Sequence, residues 1–354
     1  MLSLRLARGG RPLVQLRRLL VAAAAAGTGL LLLAVLATAA ARPQGQLPRL
    51  LWCAVPLALT VQLAVAVTRT DPAVRPREDL DAVGFGPVRL IRVAALSAAI
   101  ACALGSALAL ALFLHLRGDL TGLPFDGAAA DALRAGHHLP VAAALTLLAL
   151  APLAAAGATA LSVRTRTTRA PHEGLPWGVA AFACGLAVLA YAGGGTAGRL
   201  PGWALTTVGL ALAGPALVQG CGALLQFVRP GAVRLLAGRG LQEEAGRVGR
   251  PLGVLVAVAA WAVAAAAADG GPVPVGPAAG GAVALAVLCA LGALLTAAVE
   301  SRQTRAATRE TLLDLGTPAA VLRSAALLRA AVLPAVCGPV VWGVAELTRR
   351  ALAG

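Results

Sequence analysis

Arg309-Glu310-Thr311-Leu312-Leu313-Asp314-Leu315-Gly316 stands between two long apolar runs, and its pattern occurs once more, 232 positions earlier, as Arg77-Glu78-Asp79-Leu80-Asp81-Ala82-Val83-Gly84. Both copies read Arg-Glu-x-Leu-x-x-(Val/Leu)-Gly, and after each a basic residue, Arg92 or Arg323, opens an apolar segment. Leu80 and Val83, like Leu312 and Leu315, are three positions apart, the spacing of neighbours on one helix face. Gly84 and Gly316 fall where helices commonly end in a left-handed residue, and Pro87 and Pro318 follow closely enough to stop continuation. Each copy predicts a short amphipathic helix and a hard turn into the next apolar helix. Two leucine-type side chains are left over to bury.

Around these motifs the chain is strongly apolar: 354 residues, 59% hydrophobic, 13% charged, with a mean hydropathy of +0.82. A soluble domain carries about 25% charged residues, so the composition predicts an all-α polytopic membrane protein. Runs long enough to span a bilayer, for which about 20 residues suffice, lie roughly at 19–41, 48–68, 93–116, 139–163, 175–194, 202–228, 251–268, 278–299 and 320–347. Nine spans are expected. The first is longer than the apolar region of about 7–15 residues typical of a signal peptide and reads as a retained helix.

All 30 basic residues are arginine. With the N-terminus inside, 23 of them fall on the inner side and seven on the outer side. This bias orients the chain with the N-terminus and both motifs in the cytoplasm. The expected location is the cell membrane, and an all-arginine, Ala-rich chain is no argument for nucleic acid. The basic loop 229–250, which holds Val233, Leu235, Leu236, Leu241 and Val248, suits a helix lying in the membrane interface. The outer loops are short, so no extracellular domain is expected.

The repeat divides the chain into a first unit of four spans (1–170), a linking pair (171–228) and a second, shortened unit of three spans (229–354). The six cysteines all lie in apolar runs and read as buried small hydrophobes. A Walker A loop is impossible without lysine, so no enzymatic activity and no cofactor is expected, and any ATP hydrolysis must come from another chain. His137 and His138 beside Asp131 read as an interfacial anchor, since adjacent helical residues point to different faces. Secondary transport would call for carboxylates near the midplane, which the spans lack. The small-residue stretches Gly157–Leu161 and Gly214–Gly222 allow close helix approach.

Over about 50 residues of the second half and 40 of the first, the chain resembles the FtsX-like permeases of ABC transporters, the group with MacB-type, lipoprotein-releasing and bacitracin-resistance-type members. That family carries Glu-Arg-Arg-x-x-x-x-x-Leu-(Arg/Lys)-x-Leu-Gly-(Ala/Ser) after the second helix of each unit. Here Glu300-Ser-Arg302-Gln-Thr-Arg305-Ala-Ala-Thr-Arg309-Glu310-Thr-Leu312-Leu-Asp-Leu315-Gly316 is similar, and Arg77 to Gly84 is a shortened version. The basic residue before the second leucine is missing, as are the extracellular domain and a last helix. The resemblance therefore implies a degenerate permease subunit. By that likeness Arg77, Glu78, Leu80, Val83, Gly84, Glu300, Arg302, Arg309, Glu310, Leu312, Leu315 and Gly316 would couple to a cytoplasmic ABC-type ATPase. A homodimer or a second permease is the further partner implied, and export or mechanotransmission the expected role. The competing expectation is a structural or regulatory membrane protein with no ATPase.

Overall fold

The computed structural model describes residues 12–41, 53–70, 87–119, 124, 127–131, 133, 136, 139–164, 175–191, 196–227, 231–266 and 277–353. Among these, every regular element is helical: α1 (Pro12–Ala41), α2 (Ala54–Thr70), α3 (Pro87–Arg117), α4 (Val141–Arg164), α5 (Leu175–Tyr191), α6 (Thr196–Phe227), α7 (Ala232–Ala266), α8 (Pro277–Asp314) and α9 (Ala319–Ala353). Seven of them, all but α2 and α5, are long and apolar enough to cross a membrane. The other two are apolar but 17 residues long, about 25 Å at 1.5 Å per residue against a hydrocarbon core of about 30 Å. The chain is an all-α, multi-pass membrane protein.

The chain folds as two compact units, one of residues Met1–Thr167 with Gly276–Gly292, the other of Thr168–Val275 with Ala293–Gly354. In the first, α1, α3 and α4 pack around Leu33, Ala37, Ala109, Phe113, Ala144 and Leu148. Helix α3 shows why this suits a bilayer. Its buried face holds Ala94, Ala98, Ala101 and Ala109, whereas Leu96, Ile100, Leu104 and Leu108, four apart, are exposed. Small residues inside permit close backbones, and an outward leucine stripe is at home only in lipid. The hydroxyl of Thr28 lies 2.7 Å from that of Thr60, and each also has within 2.9 Å a backbone carbonyl four residues back, Ala24 or Pro56, to which it donates when the other hydroxyl supplies the proton between them. No polar atom of this pair is left unsatisfied in the apolar interior.

Glycine contacts draw the helices of the second unit together. A Cβ on Gly185 of α5 would sit 2.6 Å from the Thr206 nitrogen of α6, and one on Gly209 of α6 would sit 2.5 Å from the Phe182 nitrogen of α5. Gly214 of α6 meets Gly249 of α7 as closely, and Trp203 and Trp261 stack edge to face at 5.6 Å. Of the two small-residue stretches expected to serve close approach, 214–222 does so through Gly214 and Gly222. A Cβ added at Gly157 or Gly220 would meet no other part of the protein within 4 Å.

The basic segment before the seventh apolar run departs from expectation. It is no separate interfacial helix: α7 runs unbroken from Ala232 through Pro251 to Ala266. Ala237, Leu241 and Ala245, four apart, are buried, and Leu241 and Ala245 pack with Val218 and Cys221 of α6 and Val332 and Val336 of α9. That protein contact replaces the membrane surface as the cover for its apolar face. Leu235 and Leu236 are the exposed ones.

Candidate functional site

The motif of the second half is an end of a helix and not a helix of its own. The 38-residue α8 carries straight on from its apolar part into Glu300-Ser301-Arg302 and beyond, and ends at Asp314. The sequence reading of a short, separate helix is corrected here. Gln303, Thr304 and Thr311 favour a helix less than Ala, yet the run Ser301–Asp314 has no glycine or proline to interrupt it. Fourteen residues beyond Glu300 make a rod about 21 Å long.

The stop falls where the glycine predicted it. Gly316 has φ 84°, its amide donates to the Leu313 carbonyl at 2.9 Å, and the Thr317 amide donates to the Leu312 carbonyl at 3.0 Å. This pair of bonds is the Schellman closure, which satisfies two carbonyls that a helix end would otherwise leave open. Pro318 then starts the return, its carbonyl accepting from the Val321 amide at 3.0 Å as α9 begins.

Along this rod Arg302, Arg309 and Glu310 are exposed, Glu300 and Leu312 are half-buried, and Leu315 at the tip is 81% exposed. Leu312 and Leu315 thus differ in exposure. Glu300 pairs with Arg247 of α7 at 3.6 Å.

Arg305, which the sequence reading did not single out, makes the principal anchor of the rod. Its Nη2 lies 2.9 Å from Glu244 Oε1 and donates to the Gly240 carbonyl at 2.9 Å, two acceptors one turn apart on α7. Glu244 was visible only as one acid in a basic stretch, and nothing in a single sequence pairs it with a residue 61 positions on. Past Arg305 the rod is largely exposed.

The first motif, Arg77, Glu78, Leu80, Val83 and Gly84, lies outside the described residues, as do His137 and His138. The helix that follows it starts at Pro87, as α9 starts just after Pro318. Cys53, Cys102, Cys221 and Cys289 are buried, Cys337 is half-buried, and Cys184 is exposed. Among the described residues no three His, Cys, Asp or Glu side chains stand close enough to hold a metal ion.

No family profile matches this chain, and neither a curated protein nor a solved structure does.

Proposed function

We propose that the chain is the membrane-spanning permease subunit of an ABC transporter of the FtsX-like kind, with the α8 rod and its turn as the docking element for a separate cytoplasmic ATPase. The observation that carries this reading is the rod itself: a helix continued about 21 Å beyond the last apolar turn, rigidly capped at Gly316, with Leu315 exposed at its tip. A stiff helix continuous with a span passes displacement at its end into the membrane, which a flexible loop would absorb. Leucine at the tip of an otherwise charged rod suits a hydrophobic cleft with a polar rim. The likeness of residues 300–316 to the family's coupling segment names the kind of partner. The orientation with the rod in the cytoplasm rests on the arginine bias.

The test is gentle affinity purification of the tagged chain from its native membrane, followed by an ATPase assay. An ATP-binding cassette subunit should co-elute with nucleotide hydrolysis. Its absence would favour the structural or regulatory reading.

A further inference from the structure

We propose that Arg305 and Arg329 together form a binding site for a phosphate group. A Cβ placed on Gly240 would lie 2.7 Å from Nη1 of Arg329, 2.9 Å from Nη2 of Arg305 and 3.0 Å from its Nη1. The two guanidinium groups therefore converge on one point of α7 from two different helices. They are no farther apart than two of those distances added together, and only the missing side chain at Gly240 leaves them room. One carboxylate, Glu244, is within ion-pair distance of Arg305, whereas among the described residues none is within 4 Å of Arg329. Two like charges in such proximity repel, and a single carboxylate leaves one of them uncompensated.

Both arginines are partly covered, so their charges are less screened than on an open surface. Planar guanidinium forks match phosphate oxygens and bind them through short, charge-assisted hydrogen bonds. Position in the fold favours a lipid as the bearer of that phosphate. Arg305 is five residues beyond Glu300, where the apolar part of α8 ends, and Arg329 is followed by the apolar run of α9. Both therefore sit where span gives way to charge, the level of the headgroups. The rod's tip, nine residues past Arg305, reaches about 14 Å farther. This site is separate from the docking surface and does not depend on an ATPase.

The experiment is native mass spectrometry of the purified full-length chain in detergent, titrated with short-chain phosphatidylglycerol, with phosphate-free diacylglycerol of the same chain length, or with inorganic phosphate. Wild type should retain phosphatidylglycerol in preference to diacylglycerol, and Arg329→Gln should weaken that retention about tenfold, the effect of one charge-assisted contact. Gly240→Ala, which fills the point of convergence, should weaken it too, while exposed Arg302→Gln should leave it unchanged. Arg329 makes no ion pair among the described residues, so its loss leaves the Arg305–Glu244 anchor standing. If inorganic phosphate displaces the lipid, a free anion is a competent occupant; if it does not, the site belongs to the lipid, and either result sustains a phosphate site. Equal retention of the two lipids by wild type would overturn the proposal. So would undiminished preference in Arg329→Gln, or an equal loss in Arg302→Gln, which would mean diffuse attraction to a basic surface.

Discussion

Gly316 takes φ 84° with open space around its Cα, so what a side chain would meet there is backbone strain and not a clash. Replacement by Val should cost about 1–2 kcal/mol at the turn, since a β-branched residue resists the left-handed region. Hydrogen exchange at the Thr317 amide, whose bond to Leu312 closes the cap, should then speed up while the protein still inserts. Unchanged protection would mean that the cap does not hold the turn. At Thr60 the expectation is milder. Thr28, its partner across the two helices, keeps the Ala24 carbonyl, and interhelical hydrogen bonds within membranes average about 0.6 kcal/mol. Thr60→Val should therefore lower stability in detergent by about 0.5–1.5 kcal/mol, read from unfolding in a denaturing detergent. The cap was legible from Gly316 and Pro318 alone, because a helix stop is a local matter. The Thr28–Thr60 contact was not, because nothing local says which face of α1 meets α2.

Between elements the same contrast recurs on a larger scale. Adding a methyl group at Gly185 would drive it against the backbone of α6, so Gly185→Ala should destabilise by about 1–3 kcal/mol, as overpacking does. Gly157→Ala, which meets nothing within 4 Å, should be neutral or stabilising, since Ala favours a helix by up to about 1 kcal/mol over Gly. Thermal unfolding of the two purified variants distinguishes them; equal melting temperatures would contradict the packing described for α5 and α6. The sequence marks both glycines alike. In a chain so rich in alanine every helix face is apolar, and periodicity cannot separate the face against protein from the face against lipid. For the same reason nothing in the sequence separates the buried stripe Ala237, Leu241, Ala245 from the exposed Leu235 and Leu236. The segment 229–250 therefore reads as a membrane-surface helix, when α6 and α9 cover its Leu241 and Ala245. The apolar, helical and multi-pass character of the chain was legible because burial in lipid needs only length and composition.

Across the whole molecule the number of crossings turns on α2 and α5, the two 17-residue helices. If all nine helices cross, the segments before and after α2 face opposite sides. In sealed membrane vesicles, single cysteines at Gln46→Cys and Ala73→Cys should then react with an impermeant thiol reagent from opposite sides; labelling from the same side would reduce the count. The α8 rod ends in the half-buried Leu312 and the exposed Leu313, with Leu315 exposed at the tip. If Leu312 and Leu315 enter a packed cleft, the change to Ala at both should remove roughly 2–4 kcal/mol of contact, and Leu315→Ala alone should lose binding without touching the fold. Arg309 and Glu310, exposed beside them, should matter less and in a salt-dependent way. The most direct measurement is recovery of an ATP-binding cassette ATPase, and of its nucleotide hydrolysis, on the Leu312→Ala/Leu315→Ala chain in nanodiscs beside wild type. Wild type should hold the ATPase and the double variant should lose it; equal binding by both would show that the α8 rod is not the docking element.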